Sequence, residues 1–177
     1  LFEGYSIFHI EGYLVQNQHL VRKAVQLARA EGMIISIDLA SYNVVESNEA
    51  FLHDIVENHV NIVFANEAES LSFTGKEPRE ALDEIALICD VAVVKIGKAG
   101  SMIRSGNDFY RVNAWPGISI DATGAGDLYA SGFLYAHSLG LSLQKCGDIG
   151  SMIAARVVEV VGPKIDIPRW KAVKQEI

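Results

Sequence analysis

The sequence predicts an α/β protein built on a mainly parallel central sheet with helices on both faces, a three-layer αβα arrangement. Three observations carry this. Residues 33–39 (MIISIDL), 61–65 (NIVFA) and 91–96 (VAVVKI) are short, dense apolar runs, as strands covered on both sides should be. Longer segments with apolar residues at helical spacing lie between them. The two kinds alternate along the chain, as parallel strands joined by helical crossovers require.

Taken in order, residues 5–11 read as the first strand. Residues 17–30 place Leu20, Val21, Ala24, Leu27 and Ala28 at helical spacing, and Gly32 follows as a stop signal. After the strand at 33–39, residues 46–58 form an amphipathic helix with Phe51, Leu52, Ile55 and Val56 on one side. The strand at 61–65 runs into a short helix, 66–73, that stops at Thr74-Gly75. A helix over 78–89 opens on Pro78, a good first-turn residue, and leads to the strand at 91–96. Residues 97–100 form a glycine-rich turn, and 101–104 with 109–114 a hairpin around Gly106-Asn107. Helices over 126–139 and 143–160 complete the pattern, the last ended by Gly162-Pro163. No repeat, low-complexity stretch or linker divides the chain, so residues 1–177 read as a single α/β domain. The first residue is Leu and strand-like sequence starts almost at once, so the chain reads as beginning inside a fold.

Composition narrows the function. Half of the 177 residues are hydrophobic, enough to form a core and exclude a disordered chain. No apolar run approaches the roughly 18 residues of a membrane span. Lys and Arg total 15 against 22 Asp and Glu, a net charge of -7, which argues against a nucleic-acid partner. Cys89 and Cys146 stand far apart and outside any CxxC pair, as reduced thiols of a cytoplasmic protein would.

Ligands of open parallel sheets bind at the carboxyl ends of the strands. Three segments fall there. The first is Asp121-Ala-Thr-Gly-Ala-Gly-Asp127, leading into a helix. Small residues at a helix N-terminus turn backbone N–H groups toward a bound anion, and the helix dipole adds positive potential. A carboxylate at the mouth of such a cradle opposes phosphate binding unless it takes a proton from an incoming hydroxyl. The plainer reading is a tight turn with Asp127 complementing the dipole. The second segment is Asn66-Glu-Ala-Glu69, an amide and a carboxylate on one helix face, suited to Mg²⁺ held through waters. The spacing fits a capping box equally well. The third is Lys95-Ile-Gly-Lys-Ala-Gly100, where glycines let a nucleotide lie against the backbone, or where an ordinary turn joins two strands.

Familiar alternatives fail on single residues. A phosphate-binding P-loop around Gly75-Lys76 needs Gly where Ser70 stands and Ser or Thr where Glu77 stands. A dinucleotide fingerprint through Gly124 and Gly126 is broken by Tyr129, which disfavours a dehydrogenase.

NEAE, VVKIGKAGS and DATGAGD, in that order along the chain, closely resemble the signature segments of the ribokinase-like carbohydrate and nucleoside kinases, the PfkB family. IEGYL and VGPKIDIP are similar to its adenosine-kinase-like branch. The resemblance covers essentially the whole chain and maps it to the C-terminal, larger part of the family fold. It implies a kinase that moves the γ-phosphate of ATP to an alcohol group of a nucleoside or sugar. Asp127 then matches the general base, and Gly124, Ala125 and Gly126 the anion hole. Asn66 and Glu69 match the residues that organise Mg²⁺ and its waters. Lys95, Gly97 and Gly100 match positions near the nucleotide, and Gly150, Ile153 and Ala154 positions near its adenine. Asp121 and Thr123, with carbonyls of Val157, Val160 and Gly162, match a monovalent-cation site, K⁺ in many members.

The sequence departs from the pattern mildly at Ala122, Leu128 and Tyr129, and at Lys95, where Thr is frequent. The family's N-terminal part, with its substrate-gripping Asp and small β-sheet lid, has no counterpart in these residues. A nucleotide-binding piece without activity of its own is therefore the second expectation. The resemblance also implies a small-molecule substrate, no nucleic-acid or membrane partner, and a homodimer as one form of assembly.

Overall fold

The computed structural model describes residues 2–176. The chain forms two compact units. The first holds the chain up to Ile96 together with Met102–Phe109, and the second holds Gly97–Ser101 and the chain from Tyr110 onward.

In the first unit, β1 (Ile7–Glu11) leads through a 3₁₀ turn at Gly12–Gln16 into α1 (Gln18–Ala30), which Asn17 caps by accepting the Leu20 N–H. Then follow β2 (Ile34–Asp38), α2 (Tyr42–Ser47), α3 (Glu49–His59), β3 (Ile62–Asn66), α4 (Glu67–Thr74), α5 (Pro78–Ile85) and β4 (Val91–Lys95). The hairpin of β5 (Ser101–Ser105) and β6 (Asp108–Val112) carries the chain between the units. Among the described residues the strands form one sheet of six, in the order β1-β2-β3-β4-β5-β6. β1 to β4 pair in parallel, with Glu11 opposite Asp38, Asp38 opposite Phe64, and Asn66 opposite Lys95.

Ile35, Ile37, Val63, Ala65, Ala92 and Val94 join one core cluster with residues of α1 to α5. The alternate positions Ile62, Phe64, Val91 and Val93 are buried as well, so both faces of the middle strands are covered. The second unit holds a 3₁₀ turn at Gly97–Ala99, then α6 (Ala125–Ser138), α7 (Leu143–Val157) and α8 (Ile167–Glu176). No helix among the described residues is long and apolar enough to cross a membrane.

Four elements differ from the sequence reading. The helix expected over 46–58 begins only at Glu49, and Tyr42–Ser47 form a separate helix before it. Asn48 makes the break: its side-chain amide donates to the Val44 carbonyl at 3.0 Å, a local bond that competes with helix continuation. α5 ends at Ile85 rather than at Cys89, where the chain turns and leaves Leu87 exposed. α7 ends at Val157 rather than Val160, because the Val158 carbonyl is taken by the N–H groups of Ile120 and Asp121. α8 was not expected. Asp166 starts it by accepting the Arg169 N–H at 2.9 Å, Pro168 fits its first turn, and Val173 anchors it by full burial.

The cysteines are free thiols, Cys146 buried and Cys89 half-buried. Burial, helped at Cys89 by the charge of Asp90, pushes Cys89 up to about 12, and burial pushes Cys146 up to about 11. The thiolate is the reactive form, and its fraction at pH 8 is then roughly 10⁻⁴ and 10⁻³ respectively. Iodoacetamide labelling of the native protein followed by mass spectrometry is expected to run at least about a hundredfold slower than in denaturant.

Candidate active site

The strand ends of the first unit gather charge. Glu11, Asp38, Asn66 and Lys95 are the last residues of β1 to β4, so parallel pairing gathers them at the carboxyl edge, Glu11 level with Asp38, and Asn66 level with Lys95 two residues further along. Asn66 caps α4 and forms a full capping box with Glu69. Its side-chain oxygen accepts the Glu69 N–H at 2.9 Å, while Glu69 Oε2 accepts the Asn66 N–H at 2.8 Å and Oε1 accepts the Asn66 amide at 2.6 Å. Both plain readings of this spacing therefore begin from one geometry: the box is made, and each carboxylate oxygen keeps lone pairs beyond it. Glu69 is 3% exposed. Its carboxyl is held above the ordinary value of 4.5, by burial first and then by the negative charge of Asp38, with Lys95 pulling it back.

Lys95 spends its ammonium on Asp38, Nζ to Oδ2 at 2.5 Å, with both side chains largely buried. Asp38 Oδ1 also accepts the N–H of Ala40, a residue held at φ 67°, so this carboxylate shapes the turn that leaves β2. The sequence reading did not name Asp38. The signal was there, an acidic residue closing an otherwise apolar strand, but its partner lies 57 residues away.

In the second unit, Gly124 is the N-cap of α6 at φ 78°, a left-handed conformation that favours glycine. A Cβ there would also sit 2.7 Å from Cβ of Pro163. The next residues expose the start of the helix. The Ala125 N–H is taken by the Ala122 carbonyl at 3.1 Å, and the first helical bond runs from the Leu128 N–H to the Gly124 carbonyl. Among the described residues no backbone carbonyl outside the helix takes the N–H groups of Gly126 and Asp127, and orphan donors at a helix start are free to meet an anion. The Asp127 carboxylate stands exposed in this first turn, without an ion pair or hydrogen bond to the described residues.

The loop before α6 is tied at both ends by Asp121. Oδ1 accepts from the Thr123 hydroxyl at 2.7 Å and the Thr123 N–H at 2.9 Å, and Oδ2 accepts the Gly162 N–H at 2.9 Å. These donors, the Thr123 hydroxyl foremost, hold the Asp121 carboxyl below the usual range, so it stays ionised at neutral pH. Asp121, Thr123 and Gly162 are thus brought together by these hydrogen bonds. Val157 and Val160 are joined by a turn bond of 3.2 Å from the Val160 N–H to the Val157 carbonyl.

Gly97 and Gly100 flank the 3₁₀ turn. Gly100, at φ 92°, lies so close to β6 that a Cβ would fall 2.0 Å from the Val112 carbonyl oxygen. Gly150 and Ile153 are buried where α7 meets α6: a Cβ on Gly150 would lie 2.8 Å from the Tyr129 carbonyl. Ala154 is the half-buried member of that trio. Ser151, unnamed in the sequence reading, clips the segment after β6 to α7, donating to the Asn113 carbonyl at 3.0 Å and accepting the Trp115 N–H at 2.8 Å.

Known proteins resemble the chain over most of its length. The chain is 33% identical over 141 residues to a nucleoside kinase of Methanocaldococcus jannaschii, covering 79% of this chain and 44% of that protein. A 5-dehydro-2-deoxygluconokinase of Clostridium perfringens is 28% identical over 166 residues, covering 88% of this chain and 49% of that protein. The crystal structure of adenosine kinase from Sinorhizobium meliloti superposes with a TM-score of 0.92 at 30% identity, covering 98% of this chain and 55% of that one. The chain spans about half the length of these relatives, and its fold is the ribokinase-like three-layer α/β class that the sequence predicted. Since the pfkB carbohydrate kinase description matches residues 1–170, taking in all three signature segments, the chain belongs to the pfkB family of carbohydrate kinases.

Proposed function

We propose that this chain is the nucleotide-binding and catalytic part of a longer kinase that moves the γ-phosphate of ATP to an alcohol group of a nucleoside, with a sugar as the alternative acceptor. The observation that supports it most is Asp127: an exposed, unpaired carboxylate in the first helical turn, set directly behind a left-handed glycine and two unclaimed N–H groups. The acceptor hydroxyl oxygen forms its bond to the γ-phosphorus, the bond from that phosphorus to the bridging oxygen breaks, and ADP leaves with the electron pair. The hydroxyl proton passes to Asp127. The N–H groups of Gly126 and Asp127 stabilise charge on the transferred phosphoryl oxygens.

Asn66 and Glu69 fit Mg²⁺ held through waters, since each of their side-chain oxygens accepts an N–H within the box and retains a lone pair. That ion supplies neutralisation of phosphate charge. Asp121 gives its carboxylate to three protein donors, which tie the loop before α6. A nucleoside is favoured because nucleoside and adenosine kinases stand among the relatives of highest identity.

The half-length match supports a second reading, nucleotide binding without transfer in these residues alone. The full-length protein, given MgATP and a panel of nucleosides and sugars, is expected to phosphorylate a nucleoside fastest, read as ADP release and as product mass. No product with any acceptor in the panel, despite MgATP binding, defeats the kinase reading.

A further inference from the structure

Tyr129 follows Asp127 by two residues on α6, and it stands where the family signature carries Phe. It is 5% exposed, and its hydroxyl lies 2.6 Å from the hydroxyl of Ser101, which is fully buried. Either oxygen can donate. Ser101 comes directly after Gly100 and so ends the turn proposed to hold the nucleotide.

The surroundings fix both partners. The Tyr129 ring lies against Gly150, where an added Cβ would come within 3.3 Å of the ring, and it stacks on Phe133 at 6.4 Å between centroids. On the other side, Gly100 is pressed against β6 with no room for a Cβ. A buried hydroxyl is costly unless bonded, and Phe would fill the same space at no such cost. The phenol therefore belongs with Ser101: each hydroxyl satisfies the other, and each would be stranded alone. Burial pushes the phenol well above its ordinary value, so the proton that makes the bond stays in place across the neutral range.

We infer that the Tyr129 hydroxyl is a positioning group that, through Ser101, holds the Gly97–Gly100 turn at a fixed distance from the helix carrying Asp127, and so sets how tightly ATP is bound. Tyr129 touches no reacting atom in this scheme. The inference rests on the proposed kinase reading, in which that turn meets the nucleotide.

The test compares wild type, Tyr129→Phe, Ser101→Ala and the double variant of the full-length protein. It measures Kd for MgATP by calorimetry, KM for ATP and kcat with the best acceptor, and Tm. Each single change is expected to raise Kd and KM for ATP about three- to tenfold while kcat at saturating ATP stays within about twofold. The double variant should bind no worse than the weaker single, the sign of a shared interaction. Wild-type Kd and KM in both singles, with only Tm lowered, would show a purely structural bond and overturn the inference. A wild type that binds MgATP but transfers to no acceptor overturns the kinase reading, while the Kd series still decides the role of the hydroxyl. A wild type that does not bind MgATP overturns both.

Discussion

Replacing Asp127 by Asn in the full-length protein is expected to lower kcat by about 10³-fold, the middle of the range for losing a positioned general base, and to leave the Kd for MgATP unchanged or slightly tighter. The side chain keeps its size and its place in the first turn of α6, so the helix start and its N–H groups are preserved. On the proposed assignment only the proton acceptor is removed, along with a negative charge that repels phosphate. A weakened Kd with unchanged kcat would mean the opposite assignment, a residue that binds and does not accept a proton. Steady-state turnover and calorimetric titration on the same preparations separate the two.

Lys95→Met destabilises the protein by about 3–5 kcal/mol at neutral pH, because it leaves the Asp38 carboxylate buried without its counter-charge. The pair is not strong evidence of stability in itself. The double variant Asp38→Leu/Lys95→Met, which removes both charges, is expected to recover most of the loss in urea unfolding. The effect depends on pH with a definite sign. Glu69 has its carboxyl raised by burial and by Asp38, and Lys95 is the group that lowers it. A carboxyl raised in the folded state keeps its full contribution below its ordinary value of 4.5 and loses it as pH rises through the raised value. Without Lys95 the raising grows, so the Lys95→Met penalty is expected to increase as pH rises above 4.5, the ordinary value of Glu69. A penalty independent of pH would place the loss in packing rather than charge.

The contrast between these two residues shows what a linear reading can reach. Asp127 was legible because every element of its setting is local: the glycines, the helix start and the carboxylate lie within seven consecutive residues. The Asn66–Glu69 box was legible for the same reason, though its two uses could not be told apart from spacing that serves both. β1 to β4 were legible because strands covered on both faces must be apolar at nearly every position. Lys95 was seen, but its role as partner of Asp38 was not, since the two meet only through the register of β2, β3 and β4. Tyr129 and Ser101, 28 residues apart, met the same obstacle. α8 was hidden for a different reason: Val173 alone of its residues is buried, so it carries almost no apolar stripe to read.

The order of the strands in the sheet is the order in which they are synthesised. Each new parallel pairing from β1 to β4 joins residues only 27, 26 and 29 positions apart, so every step closes a loop of similar, modest entropy. No strand waits for a distant partner to be inserted beside it. A nascent chain emerging from the ribosome can therefore lay down the β1-to-β4 pairings one crossover at a time.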